Sequence, residues 1–276
     1  MTTTPKERID VLLVERGFYE SREKAKAALM AGLVLVDDEP VDKSGMKVAR
    51  TADIKVKGAL HPYVSRGGLK LEKAIRTFDI DLRNRVMLDI GASTGGFTDC
   101  ALQNGASYVY AIDVGYNQLD WTLRQDERVH VMERTNFRYM QPADLSGPPP
   151  TFASIDVSFI SLKLILPALS ALLTVDSGIV ALIKPQFEAG REKVGKSGVV
   201  RDSAVHKDVL RTVLNAAAQL GYSLVNLTFS PITGGEGNIE FLAYWKWTSE
   251  PNTIVPDDAQ LDELVKQANQ TFTTGK

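Results

Sequence analysis

The chain has 276 residues, 44% of them hydrophobic and 24% charged, which suits a soluble globular protein of one large domain or two unequal ones. A formal net charge of -2 excludes a globally basic nucleic-acid binder and leaves room only for a local basic face. The single cysteine, Cys100, excludes an intramolecular disulfide, as suits a reducing compartment. The opening MTTTPKERID lacks the apolar core of a signal peptide, and runs such as GIVALI are far too short to span a bilayer, so a soluble, cytoplasmic protein is expected.

In chain order, KERIDVLLVERG places Ile9, Leu12 and Leu13 on one helical face and stops at Gly17. SREKAKAALMAG opens on Ser21, a good N-cap, and closes on Gly32. LVLVDDEPV reads as strand, acidic turn and return, and ADIKV as a further strand. The first 58 residues therefore form a small α+β unit. Its basic residues Arg8, Arg16, Arg22, Lys24 and Lys26 alternate with Glu7, Glu15 and Glu23, and charge alone reads them as a solvated face. GALHPYVSRGG breaks the pattern and is read as a joint, with a linker at 59–64, a second domain at 65–250 and a terminal amphipathic helix within 251–276.

From Arg85 the pattern alternates. Strands are expected at VMLDI, SYVYAIDV, VHVME, FASIDVSF and GIVALIK, with helices at 96–104, 117–124, 160–173 and 203–220. Such alternation predicts a mostly parallel, Rossmann-like α/β sheet with helices on both faces. YSLVNLTFS and NIEFLAYWKW follow one another without a helix, which predicts a terminal antiparallel hairpin.

After VMLDI comes GASTGGFT, whose first five letters fit both a serine nucleophile elbow and a glycine turn for a nucleotide-like ligand. The elbow needs an acid and then a histidine after the serine. Only His206 follows the strand-end acid Asp156, and it lies early in an expected helix, so Ser93 is read as a turn residue. Gly91, Gly95 and Gly96, with Ala92, Ser93 and Phe97, form the turn at the carboxyl end of the strand, where doubly wound sheets bind ligands. Asp113 follows Gly91 by about 22 residues, placed to accept from two ribose hydroxyls. Asp89 is expected to put negative charge beside the ligand, repelling a pyrophosphate and suiting a cationic amino group. This favours S-adenosylmethionine over a dinucleotide. Thr135 and Asn136 in ERTNFR are expected near the adenine, where a simple strand cap is the other reading. Cys100 is expected as a small buried residue of the helix after the turn.

Four ionisable residues lie at informative places: Lys70 in SRGGLKL just before the sheet begins, Asp156 ending a strand in SIDVSF, Lys184 ending the next in ALIKPQFE, and Glu240 in GNIEFL on the last strand pair. Singly, each suits a structural role; together, two lysines and two acids beside a methyl-donor turn suggest chemistry. If a hydroxyl accepts the methyl group it must lose its proton as it attacks, so Lys184 is assigned as base or orienter and Asp156 as its positioner. Lys70 and Glu240 complete the network, and no metal is required. PQFEAGREKVGKSGVVRD, with Arg191, Lys193 and Lys196, reads either as a loop that closes over RNA or as a mobile surface loop.

The run from Arg8 to Val41, with Arg8-x-Asp10, Ser21-Arg22, Ala25, Ala28 and AGLVLVD, resembles the RNA-binding domain named after ribosomal small-subunit protein S-four. The resemblance implies that Arg8, Ser21, Arg22, Lys24 and Lys26 face an RNA backbone, giving affinity more than sequence choice. The second domain resembles the FtsJ-type ribose 2'-O-methyltransferases, whose Lys-Asp-Lys-Glu tetrad carries over as Lys70, Asp156, Lys184 and Glu240. With VSRGGLKL, DIGASTGGFTDC, DVSFISL, IKPQFE and GNIEFL, the chain up to about residue 250 is similar to the TlyA (hemolysin A) family of ribosomal-RNA methyltransferases. That likeness implies S-adenosylmethionine as cofactor, ribosomal RNA or ribosomal subunits as partner, cytidine as acceptor, and Arg66 among the RNA-facing residues. A non-catalytic assembly factor is the alternative, and its mark would be a damaged tetrad. Direct membrane lysis is a third reading, against which the lack of a spanning segment argues.

Overall fold

The computed structural model describes residues 6–16, 18–19, 21–56, 61–251 and 255–273. The chain divides into two compact units, Met1–Pro62 and Tyr63–Lys276. Gly17, the expected end of the first helix, and residues 59–60 of the expected linker lie outside the described residues.

In the first unit β1 (Lys6–Arg8) leads into α1 (Ile9–Glu15), followed by α2 (Arg22–Met30), β2 (Val34–Val36), β3 (Glu39–Pro40), β4 (Lys47–Ala49) and β5 (Ile54–Val56). Ser21 caps α2 by accepting from the Lys24 amide at 3.3 Å. Ala31 closes that helix, and Gly32 beyond it takes the left-handed φ of 70° that glycine adopts without strain. β2 is central, antiparallel to β3 and β5, and Asp37 and Asp38, both at positive φ, make the tight turn into β3. β1 and β4 form a separate antiparallel pair that the sequence patterning did not suggest. Ile9, Leu12, Leu13, Ala25, Leu29 and Val34 are buried as the core.

The second unit holds α3 (Gly68–Phe78), β6 (Val86–Ile90), α4 (Gly96–Gln103), β7 (Tyr108–Ile112), α5 (Trp121–Arg124), β8 (Val129–Met132) and β9 (Phe152–Ile155). It continues through α6 (Leu162–Ser170), β10 (Gly178–Ile183), α7 (Pro185–Glu188), α8 (Ser203–Gln219), β11 (Tyr222–Phe229), β12 (Phe241–Trp247) and α9 (Asp258–Thr273). The seven-stranded sheet runs β11-β12-β10-β9-β6-β7-β8. β6 to β10 are parallel, and β12 joins antiparallel to both β10 and β11. The expected fold class, including the hairpin, is what the chain forms.

β10 is buried along its whole length, as a strand covered on both faces must be. On one face Leu71, Ala74, Phe97 and Cys100 pack against Met87, Val109, Val180 and Leu242. On the other, Leu166, Leu169, Leu210, Val213 and Leu214 pack against Leu88, Tyr110, Ile179 and Trp245. α9 belongs to this second layer: Leu261, Val265 and Ala268 are buried, and Asp262 and Asp258 pair with Lys207 and Arg211 of α8. No helix among the described residues is long and apolar enough to cross a membrane.

One element was not expected and one expectation is revised. No helix was expected between the joint and the first strand of the sheet, but Leu71, Ala74 and Phe78 give α3 a buried apolar face. The helix expected from 117 begins only at Trp121, because Glu133 accepts the amides of Asn117 and Gln118 and Asp120 caps the helix at Thr122.

Candidate active site

β6 has β7 on one side and β9 on the other, so the chain changes direction across the sheet at its carboxyl end. That is the switch point where an α/β sheet leaves a crevice. The turn after β6 sits there. Gly91 has φ 86°, and a Cβ on it would lie 2.5 Å from the Asp156 carbonyl oxygen, so only glycine lets this turn pass the end of β9. The Ser93 amide donates to Asp113 Oδ2 at 2.8 Å, and the Gly115 amide to Oδ1 at 2.7 Å. Asp113 therefore ties the turn to the loop after β7. The backbone of Ser93 is engaged in that tie, while His206, the histidine that follows Asp156 in the chain, is buried against the Val200 carbonyl and the His130 ring packs edge-on to Tyr110.

Two cavities flank the turn. One, of about 370 Å³, is lined by Asp113, Thr135, Asn136, Phe137, Ile160 and Gln118 among others. The second, of about 600 Å³, is lined by Ala92, Gly96, Phe97, Arg66 and all four tetrad residues. Gly91, Ser93, Asp156, Ser158 and Phe159 line both, so the cavities adjoin across the turn. An acidic acceptor, a strip of apolar side chains and an opening toward a second cavity suit a nucleoside with a short charged tail. The donor set fits S-adenosylmethionine.

Asp89 departs from its expected place. It is fully buried beneath the turn and lines neither cavity, and its carboxylate accepts from Thr98 Oγ1 at 2.7 Å and Ser154 Oγ at 2.9 Å. Burial pushes its pKa up to about 6, against the hydrogen bonds that favour the charge. Through Thr98 and Ser154 it holds β6, α4 and β9 together. Gly95 also lines neither cavity; its φ of 99° and the 2.3 Å approach of Leu123 Cδ1 to a Cβ there make it a packing glycine.

The four ionisable residues meet. Lys70 Nζ lies 2.7 Å from Glu240 Oε2 and 3.4 Å from Asp156 Oδ2, and Lys184 Nζ lies 2.5 Å from Asp156 Oδ1. All four side chains are largely buried, and two ammoniums balance two carboxylates, so the cluster carries no net charge. Burial opposes the charge on Lys70, but Asp156 and Glu240 outweigh it and its pKa stands raised. Burial likewise pushes Asp156 up, and the two lysines pull it below the ordinary carboxylate value. Lys184 has only one carboxylate partner and donates also to Ser158 Oγ at 3.2 Å.

Four contributors were not foreseen. Glu133 organises the loop beside the smaller cavity, and its pKa is lowered to about 2: burial opposes this, and backbone amides with Arg124 prevail. Gln186 donates toward Glu240 at 3.5 Å while its buried Oε1 finds no partner among the described residues. Asn238 is sealed beneath the larger cavity's loops. Phe159, almost wholly exposed and at φ 63°, stands at the rim with its ring 4.9 Å from that of Phe187. Of these, only Glu133, first after its strand, was visible as a strand-end charge.

The expected RNA-facing residues fall in separate places. In the first unit Arg8 and Arg22 both bind the fully buried Asp10, at 2.9 and 2.7 Å, and each remains nearly half exposed. Ser21 is spent as a helix cap, while Lys24 is exposed and Lys26 partly exposed on α2. In the second unit Arg66 donates to the Thr233 carbonyl at 2.6 Å. Arg191, Lys193 and Lys196 are exposed on a segment that is less open than expected, because α7 and a single turn at Arg191–Lys193 occupy its first half.

Comparison with known proteins agrees with this architecture. Residues 63–247 match the model of the FtsJ-like methyltransferases, and residues 7–54 match that of the S4 domain. A Bacillus subtilis protein described as a candidate rRNA methyltransferase, YqxC, is 57% identical over 99% of this chain and 98% of its own. The Mycobacterium tuberculosis 16S/23S rRNA (cytidine-2'-O)-methyltransferase TlyA is 42% identical over 86% of this chain and 88% of its own. A solved structure described as a candidate hemolysin from Streptococcus thermophilus is 53% identical, covers 99% of both chains and superposes with a TM-score of 0.80. With its switch-point turn and buried tetrad, the chain belongs to the FtsJ-like methyltransferase family and carries an S4 domain ahead of the methyltransferase domain.

Proposed function

We propose that the protein transfers a methyl group from S-adenosylmethionine to a ribose 2'-hydroxyl of ribosomal RNA, at cytidine. The observation that carries this is the convergence of Lys70, Asp156, Lys184 and Glu240 in a cavity that adjoins the glycine turn. When bound, S-adenosylmethionine supplies a methyl carbon on a cationic sulfur. Asp113 accepts from the ribose hydroxyls, with Thr135 and Asn136 alongside the base, while Gly91 and Ser93 let the tail reach the larger cavity.

The acceptor hydroxyl must lie in line with the methyl carbon and lose its proton as it attacks. Lys70, raised in pKa between two carboxylates, stays charged and serves to orient. Lys184, left with one carboxylate partner, is the group assigned to take the hydroxyl proton: it first releases its own ammonium proton to solvent, then accepts the hydroxyl's as the neutral amine, and Asp156 holds it in place. Ribosomal RNA is favoured by the S4 domain and by the names of the close relatives, and cytidine by the latter alone. Arg8 and Arg22, steered by Asp10, would meet RNA phosphates.

The test is transfer of labelled methyl from S-adenosylmethionine to unmodified ribosomal subunits and to naked ribosomal RNA. Label at a ribose 2'-oxygen, reduced by about 10²-fold or more in Lys184→Ala while cofactor affinity is kept, is the expected result. Cofactor binding without transfer to any ribosomal RNA would refute the acceptor, and no cofactor binding would refute the reading of both cavities.

A further inference from the structure

The larger cavity has a wall that bears none of the tetrad. Val194, Gly198, Gly234, Gly235 and Asn238 line it, drawn from two loops on either side of α8 and β11. Asn238 is 3% exposed and makes three side-chain hydrogen bonds. Its Oδ1 accepts from the Val200 amide at 3.1 Å, while its Nδ2 donates to the Gly198 carbonyl at 2.9 Å and the Gly235 carbonyl at 3.0 Å. One partner is a donor and two are acceptors, so only one orientation of the amide satisfies the site. Asn238 thereby clasps both loops from beneath, two residues before Glu240.

The glycines of this wall differ in what makes them glycine. At Gly234 a Cβ would lie 2.1 Å from Glu240 Oε1, so the tetrad itself requires it. At Gly198 the φ of 75° is reason enough. Gly235 has neither reason. Its φ lies outside the left-handed range, and a Cβ built on it meets nothing within 4 Å. Gly235 is itself exposed, and it lines the cavity that holds the tetrad.

We propose that Gly235 is kept bare for the acceptor nucleoside, which packs against it with its 2'-oxygen toward the tetrad, and that Asn238 is the positioning residue that holds this wall in place. The inference rests on the 2'-O-methyltransferase reading above and adds to it a determinant of what the cavity admits. A methyl at 235 meets no protein atom within 4 Å, and Gly235 has no part in the smaller cavity, so a group added there is set to act on the acceptor. Loss of the Asn238 clasp lets the wall drift and misplaces the acceptor, although the tetrad is intact.

The experiment measures cofactor affinity, melting temperature, and kcat and KM for ribosomal RNA in Gly235→Ala, Gly235→Leu and Asn238→Asp. Native cofactor affinity with kcat/KM down about tenfold for Ala and about 10²-fold for Leu is expected, since each added carbon competes with substrate. Asn238→Asp, equal in size, turns an oxygen against two carbonyls; it is expected to lose about tenfold or more in kcat with little change in KM. Asn238→Ala, which removes the repulsion too, takes its place should that variant fail to fold. Native kcat/KM in both Gly235 variants overturns the proposal, as does a parallel fall in cofactor affinity, which would place the wall at the cofactor. If the native protein binds cofactor but methylates no RNA, the reading of the function has failed instead, and the two failures are distinct.

Discussion

The two units use buried carboxylates in opposite ways. In the first, one buried acid, Asp10, faces two arginines that remain nearly half exposed, so the cluster has an excess positive charge turned to solvent. In the second, two lysines and two acids are all largely buried and cancel. An excess turned outward attracts polyanions from a distance and weakens as salt rises. A neutral, sealed cluster has no such reach; its worth lies in fixed geometry and in a place to move one proton. The lesson is that the sum of charges and their exposure separate a binding surface from a reacting one.

The largest effect should come from unbalancing the sealed cluster. Asp156→Asn leaves Lys184 without a carboxylate and the cluster with two ammoniums against the single carboxylate of Glu240, which pairs with Lys70. A buried pair broken from one side costs about 3–5 kcal/mol, and loss of the proton path about 10²–10⁴ in rate. Urea unfolding and methyl transfer measure the two, while RNA affinity should hardly change. A variant that keeps native rate would mean that the tetrad is structural.

The same exchange at Asp10 should behave differently. Asp10→Asn adds one net positive charge at the cluster while freeing Arg8 and Arg22 from the carboxylate that aims them. If charge alone binds RNA, affinity rises; if aim matters, affinity falls, by about tenfold for hydrogen bonds to a charged group that are no longer held. The fall is expected, with an unchanged rate at saturating RNA. Filter binding across a salt series decides between them.

These clusters also show what sequence reading can reach. β6 was legible to the residue, because VMLDI is an apolar run bounded by turn residues, and the hairpin of β11 and β12 was legible because no helix pattern separates its strands. Asp156 and Lys184 were visible as charges closing apolar strands, but the meeting of all four joins positions up to 170 residues apart, which no local period encodes; family resemblance supplied that link. Asp89 was misplaced for a physical reason. Met87 to Ile90 are all buried, so β6 lacks the alternation that would say which way its acid points. β1 and β4 are three residues each, β1 wholly charged, and paired across 38 residues or more, so they carried no signal. Asn238 and Glu133 act by accepting or donating to backbone groups that only the folded chain brings near.

Asp89 completes the comparison as a buried acid with no ion-pair partner among the described residues, and it yields the smallest and most specific effect. Its folded pKa of about 6 exceeds its ordinary value of 3.8, so the folded protein holds a proton that the unfolded chain has released. The stability it contributes is fully present below about 3.8 and is lost as pH rises through about 6, a loss on the order of 2–3 kcal/mol for this fully buried group. Glu133 works the other way: its contribution is present above 4.5 and is lost as pH falls through about 2. Asp89→Asn keeps the hydrogen bonds of Thr98 and Ser154 within reach but removes the titration. Urea unfolding of the two proteins between pH 4 and 7 should show a downward slope in the native chain that the variant lacks. Equal slopes would mean that the turn region is wetter than its burial implies. That would undo the distinction between an acid balanced by lysines and one balanced only by hydroxyls.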